Sequence, residues 1–198
     1  MKMRLDYARG VKDHSIRCVE NLNELCWKLE SPGYDAGMFM REAAELISKL
    51  FGIASVAISV RDPDNLFRYK VVIGLDPEAI RGFDKLVYTE EYLLDATIFP
   101  NYEISKHTKL YLAEDHPYAE GEEFSYQRPG LIGMKRRALT ESLEADYLDF
   151  YFRSPDGKLL GYIEASGTRL RKLPDAPTII WIELLANVLG LGLSRRRS

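Results

Sequence analysis

The side chains best suited to chemistry gather in the middle of the chain. Tyr88, Tyr92, Phe99, Tyr102, Tyr111, Tyr118, Phe124 and Tyr126 fall in one stretch that carries no long helical period. Small-molecule pockets are mostly apolar with a few converging polar groups, and tyrosine supplies both a ring face and a hydroxyl. His107, Arg128 and Arg136 lie in the same stretch. They add charge and directed donors, and arginine can hold a carboxylate through two parallel bonds. The candidate ligand-binding set is therefore Tyr88, Tyr92, Phe99, Tyr102, His107, Tyr111, Tyr126, Arg128 and Arg136. The plainer alternative is that these tyrosines cover a sheet face and satisfy its loops.

Other chemistries find fewer residues. His14, His107 and His116 are the three histidines. His107 and His116, with Glu114 and Asp115, compose a nitrogen and oxygen donor set for a metal. A polar surface loop explains the same cluster, and no metal is expected. Asp76-Pro77-Glu78 reads as a helix start and Glu122-Glu123 as a solvated charge run, because acid–base work requires burial and a facing partner. There is no phosphate-cradling glycine loop, no His-Glu-x-x-His and no Cys-x-x-Cys. Cys18 and Cys26 fall in one helical segment, where eight residues of rise separate them by roughly 12 Å, beyond disulfide reach. They read as reduced thiols of a cytosolic protein.

The elements that would position these residues come from a chain of 198 residues, 46% hydrophobic, with a net charge of −3. That suits one domain with flanking helices. It argues against nucleic-acid binding, which calls for a basic face; the basic run Lys135-Arg136-Arg137 is offset by acids such as Glu114 and Asp115. The N-terminal residues lack the apolar core of a signal peptide. Residues 178–193 are apolar but contain Glu183 and Asn187 and fall short of the roughly 20 residues of a span. A buried helix is expected there, and no membrane.

Residues 14–30 carry a helical stripe in which Val19, Leu22, Cys26 and Leu29 follow coiled-coil spacing. A second helix starts at the N-cap Asp35, buries Phe39, Ala43, Leu46, Ile47 and Leu50, and stops at Gly52. In residues 53–60, Val56, Ile58 and Val60 alternate with Ser55, Ala57 and Ser59, which predicts a strand. A second strand is expected with Phe67, Tyr69, Val71 and Ile73 on one face. Asp76-Pro77 opens a short helix. Residues 147–153 and 158–166 form a hairpin about the turn Ser154-Pro155-Asp156-Gly157. A last helix runs from about Asp175 to Leu193. The order points to an α+β fold: an antiparallel sheet with N- and C-terminal helices on one face and the irregular middle over the other.

On these residues the chain resembles a GAF domain. The helix ending Leu46-Ile47-Ser48-Lys49-Leu50-Phe51-Gly52 leads into the strand Ala54 to Val60 as that family opens. Val72-Ile73-Gly74-Leu75 is similar to its second strand and glycine turn. The sequence Asp146-Tyr147-Leu148-Asp149-Phe150-Tyr151-Phe152, the Asp156-Gly157 turn and Leu160-Gly161-Tyr162-Ile163-Glu164-Ala165 resemble its last two strands. Ile182 to Asn187 fits its closing helix. The likeness covers roughly residues 34–193, which divides the chain into a helical extension, 1–33, and a GAF-like domain, 34–198.

The resemblance implies a small-molecule-binding or dimerising regulatory module that acts in the cytoplasm, by binding rather than catalysis, within a signalling system. The Asn-Lys-Phe-Asp-Glu signature of the cyclic-nucleotide members is absent, and both cysteines precede the domain core. Bilin attachment and methionine sulfoxide reduction therefore lack their thiolate nucleophile. The ligand stays unnamed. A homodimer through the terminal helices is expected, using Val19, Leu22, Cys26, Leu29, Ile182, Leu185 and Leu189, together with a downstream signalling protein. A dimerisation module without a ligand is the alternative, and an enzyme with His107 or His116 as base is the third.

Overall fold

In the computed structural model, which describes residues 14–29, 31, 33, 35–115 and 128–195, the chain begins with α1 (His14–Leu29) and α2 (Ala36–Phe51). Asp35 caps α2 by accepting from the Met38 amide at 2.7 Å. Gly52 ends it in the left-handed region, φ 65°, where glycine pays no Cβ penalty. Phe39, Met40, Ala43, Ala44 and Ile47 form the buried stripe of α2.

The hairpin of β1 (Ile53–Arg61) and β2 (Phe67–Ile73) follows. The expected irregular middle contains α3 (Pro77–Phe83), β3 (Val87–Tyr88), α4 (Glu90–Leu94), β4 (Tyr102–Glu103), β5 (Thr108–Tyr111) and a 3₁₀ turn at Pro129–Leu131. The second hairpin is β6 (Tyr147–Arg153) and β7 (Leu159–Thr168), and α5 (Ala176–Arg195) closes the chain. The α3 start has its aspartate cap and proline where the sequence placed them, with Asp76 accepting from the Glu78 and Ala79 amides.

All pairings are antiparallel, in the order β3-β2-β1-β7-β6-β5-β4. The central pair β1–β7 joins the early and late parts of the chain. Gly161 on β7 lies so close to β1 that a Cβ there would stand 2.2 Å from the Ser59 carbonyl oxygen.

The main core fills the space between the sheet and α1, α2 and α5. Val56, Ile58 and Val60 of β1, Phe150 and Phe152 of β6, and Ile163 of β7 pack there with Phe39, Ile47, Ile182 and Leu189. Burial of this kind contributes roughly 1.5–3 kcal/mol per large side chain. Within α5, Ala176–Ser194 is long and apolar enough to cross a membrane by composition. Ile182, Leu185, Ala186 and Leu189 are nonetheless buried in the protein core.

A smaller cluster of Phe67, Leu93, Tyr151, Leu159 and Tyr162 lies apart from the main core. Here one expectation changes. Phe67, Tyr69, Val71 and Ile73 do not share a face: the β1–β2 register shifts between Ile58 and Ser59. Phe67 and Tyr69 turn toward the smaller cluster, while Val71 enters the main core. A bulge adds one residue and so reverses the alternation beyond it.

Candidate functional site

On β6 the alternation of a strand sorts the side chains. Leu148, Phe150 and Phe152 join the main core. Tyr147, Asp149 and Tyr151 therefore project from the opposite face. Register with the neighbouring strands brings like-facing groups beside them. Lys109 of β5 stands opposite Asp149, and Tyr111 opposite Tyr147. Across β7, Glu164 is opposite Asp149 and Tyr162 opposite Tyr151. Ser59 of β1 lies between Tyr162 and Tyr69 of β2.

A cavity of about 60 Å³ opens on this face. Tyr69, Tyr111, Tyr147, Asp149, Tyr162 and Glu164 line it from the sheet, and Tyr88, Leu93 and Phe99 from the middle segment. Short α4, started by Thr89 accepting from the Tyr92 amide, sets Leu93 in place. The rings of Tyr111 and Tyr147 stack at 4.4 Å between centroids. Tyr69 meets Phe83 of α3 edge to face at 4.8 Å.

The hydroxyls organise around the two carboxyls. The Tyr69 hydroxyl donates to Glu164 Oε2 at 2.6 Å, and the Tyr162 hydroxyl donates to that of Tyr69 at 3.1 Å. The Tyr151 hydroxyl donates to Asp149 Oδ2 at 3.2 Å and lies 2.8 Å from the Tyr111 hydroxyl. Asp149 is 3% exposed, and its other oxygen, Oδ1, has no hydrogen-bond partner among the described residues. A buried acceptor left unpaired costs about 1–3 kcal/mol.

Burial, then the adjacent Glu164 carboxylate, pushes the Asp149 carboxyl well above its ordinary range; Tyr151, Lys109 and Tyr111 partly oppose this. Burial also raises Glu164, against the hydrogen bond from Tyr69. The Tyr69 and Tyr162 hydroxyls are driven up by burial first and by the nearby carboxyls next, so they stay protonated donors.

Among the residues singled out by sequence, Tyr88, Phe99 and Tyr111 line the cavity. Tyr92 stacks on Tyr88 at 5.9 Å and meets Phe99 edge to face, at the rim. The others stand elsewhere. Tyr102 on edge strand β4 is 51% exposed and bonded to Asp115. His107 precedes β5 with its Nδ1 buried and unpartnered among the described residues, and it does not line the cavity.

Arg128 and Arg136 are paired with acids, and Arg136 also borders a separate depression beside Ile132, Met134 and Glu144. Arg128 pairs with Glu144 at 3.0 Å, and Arg136 with Glu114 and Asp146, each at 2.8 Å. The Arg136–Glu114 pair ties the segment before β6 to the residues after β5. Tyr126, like His116, Tyr118, Phe124, Glu122 and Glu123, lies outside the described residues. Among the described residues no group of three histidine, cysteine or acidic side chains could hold a metal.

Tyr69, Tyr147, Asp149, Tyr151, Tyr162, Glu164 and Lys109 were absent from the candidate set. Their signal was present as period two: Tyr147, Asp149 and Tyr151 alternate with three apolar residues, and Tyr162 and Glu164 flank Ile163.

The terminal helices are sorted likewise. Ile182, Leu185 and Leu189 pack inside the main core, and Leu22 and Leu29 lean against it. Cys26 is partly buried and Val19 exposed. The three α5 positions are thus taken up within the chain, because α5 must cover the apolar face of β6. The outward apolar side chains are Val19 and Trp27 on α1 and Ile180, Leu184 and Leu191 on α5.

The fold recurs in solved structures. The GAF domain/HD domain protein from Geobacter sulfurreducens superposes with a TM-score of 0.59 at 13% identity, covering 82% of this chain and 94% of that one. This chain has the GAF fold. The GAF domain of a phosphoenolpyruvate-protein phosphotransferase from Coxiella burnetii gives 0.60 at 13% identity, over 93% and 97%. Residues 122 to 287 of a methyl-accepting chemotaxis protein give 0.54 at 15% identity, over 86% and 95%. At such identities the likeness concerns the GAF fold alone. No protein-family model matches the sequence, and no curated protein matches it.

Proposed function

We propose that the chain is a non-catalytic, small-molecule-binding sensor domain of GAF type, with its ligand in the cavity between Asp149, Glu164 and the tyrosines. The observation that carries this is Asp149: a buried carboxyl with one unpartnered oxygen, lining a cavity. Such a group is costly unless something completes it. GAF-fold neighbours from a phosphotransferase and a chemotaxis protein support a place in signalling.

Transmission has a direct route through β6. Asp149 and Tyr151 face the ligand side, while Phe150 and Phe152 on the same strand share a core with Ile182, Leu185 and Leu189 of α5. A ligand that binds one position of β6 more tightly biases α5, by no more than its differential affinity. The exposed Trp27, Ile180, Leu184 and Leu191 favour a homodimer through α1 and α5, from which a downstream signalling protein reads the change. Cys18 and Cys26, not joined in a disulfide, fit a cytosolic setting.

Native mass spectrometry of the freshly purified chain, followed by denaturing mass analysis, tests the reading. Extra mass held natively and lost on denaturation is the expected result. A bare mass under all conditions, with no small molecule raising the melting temperature, leaves a dimerisation module without a ligand. Sedimentation at tens of micromolar should give a dimer; a monomer there removes the helix-mediated pairing.

A further inference from the structure

We infer that the cavity takes the head group of a small organic monocation, an ammonium or methylated ammonium held between the Asp149 and Glu164 carboxylates and the surrounding tyrosine rings. The inference rests on the sensor reading above and names its ligand class.

The first argument is charge. Asp149 and Glu164 stand opposite each other across β6 and β7, and Lys109 stands opposite Asp149 on the other side. The Lys109 ammonium lies 5.9 Å from the centroid of the Tyr151 ring and does not line the cavity. Arg61 at the end of β1 is already paired with Glu90 at 2.9 Å. Two carboxylates against one lysine leave a single negative charge, which one monovalent cation neutralises.

The second argument is hydrogen bonding. The hydroxyls of Tyr69, Tyr151 and Tyr162 already donate within the site. Among the described residues Ser59 Oγ and Asp149 Oδ1 are the unpartnered atoms on this face, and of the two only Asp149 Oδ1 lines the cavity. Once the carboxyl is ionised, a ligand that completes this oxygen must donate, as an ammonium N–H does and a carboxylate or phosphate does not. The ring faces add attraction for a cation, which strengthens as the cation is desolvated.

The third argument is size. A water occupies roughly 10–15 Å³ by the same measure, so 60 Å³ admits about four or five non-hydrogen atoms. Methylammonium and trimethylammonium, each with an N–H to donate, fall at or below that limit.

Binding also moves a proton. Without a ligand, burial of both carboxyls and the repulsion of Asp149 by Glu164 favour a proton on the pair. The facing titratable groups are Lys109 and Tyr111 from β5, Tyr147 and Tyr151 on β6, Tyr162 from β7, Tyr69 from β2 and Tyr88 from β3. Lys109 alone among them is cationic, so the incoming ammonium replaces the proton, which leaves to solvent. Affinity then rises with pH, up to about tenfold per unit until the pair is ionised.

Isothermal titration of the full chain with methylammonium and trimethylammonium chlorides, at about pH 6 and pH 8, tests this against sodium chloride, tert-butanol and acetate. The organic cations are expected to bind in the millimolar range or tighter, more strongly at the higher pH, and to release a proton. Asp149→Asn should weaken them at least tenfold while melting no lower than the parent, and Glu164→Gln should act in the same direction. Equal binding of tert-butanol or acetate, or no effect of either variant, overturns the cation while leaving the cavity a ligand site. Retention of a neutral or anionic molecule in the native mass does the same. Silence from every probe overturns the inference, and joined to a bare native mass it overturns the sensor reading as well.

Discussion

Asp149 and Glu164 face each other directly across β6 and β7, two carboxyls on one buried patch with Lys109 flanking Asp149 on β5. Their spacing along the chain gives no hint of this. Antiparallel register places opposite residues within about 4.5–5.5 Å between Cβ atoms, so the pair repels whenever both are ionised.

The sign of the pH effect follows. Both carboxyls are raised in the folded state. Their contribution to stability is complete below the unfolded values of about 4 and is lost as pH rises through the folded values. Asp149→Asn removes the group and should unfold later in urea than the parent at pH 8, with the gap closing near pH 5. Each unit of pKa elevation corresponds to about 1.4 kcal/mol. Parallel stability profiles for the two proteins would refute this.

Tyr69→Phe deletes the hydroxyl that donates to Glu164 and accepts from Tyr162. Two groups lose a partner at once, at a cost of about 1–3 kcal/mol. Because that hydrogen bond favours the ionised carboxylate, Glu164 should titrate still higher in the variant. Carboxyl-resolved NMR titration, alongside urea unfolding, reads both effects.

Arg136, partly buried, pairs with Asp146, whose side chain is 1% exposed, and also holds Glu114. Replacing Arg136 by methionine strands Asp146, and the expected loss is about 3 kcal/mol. The half-exposed pair Lys28–Glu42 is the contrast. Lys28→Ala should change stability by less than about 1 kcal/mol, and less again at high salt. Similar losses from both substitutions would be the contrary result.

Gly161→Ala brings a methyl group against the Ser59 carbonyl and the Phe152 ring, 2.2 and 2.4 Å away. Backbone cannot retreat as a flexible side chain does, so the β1–β7 contact must open. Overpacking costs about 1–3 kcal/mol and occasionally more, and the upper part of that range is expected by thermal melting. An unchanged melting temperature would contradict the tight packing at the sheet centre.

The local pattern alone determined the helices, their caps, the two hairpins and the helical layer. Asp35, Gly52 and Asp76 act on their own neighbours, and Val56, Ile58 and Val60 announce their common face by alternation. The same alternation in Tyr147, Asp149 and Tyr151 held the cavity face in view, yet the aromatic density of the middle segment drew the candidate site there. Only Tyr88, Phe99 and Tyr111 of that set line the cavity. Tertiary structure decided the rest. A shift in β1–β2 register sent Tyr69 and Val71 to different faces, and acids distant in sequence claimed Arg128 and Arg136. Pairing β5 with β6 and β6 with β7 set Lys109, Asp149 and Glu164 in one row. Strand register depends on contacts between distant segments, and the period of a single strand carries no information about which side chain it will meet.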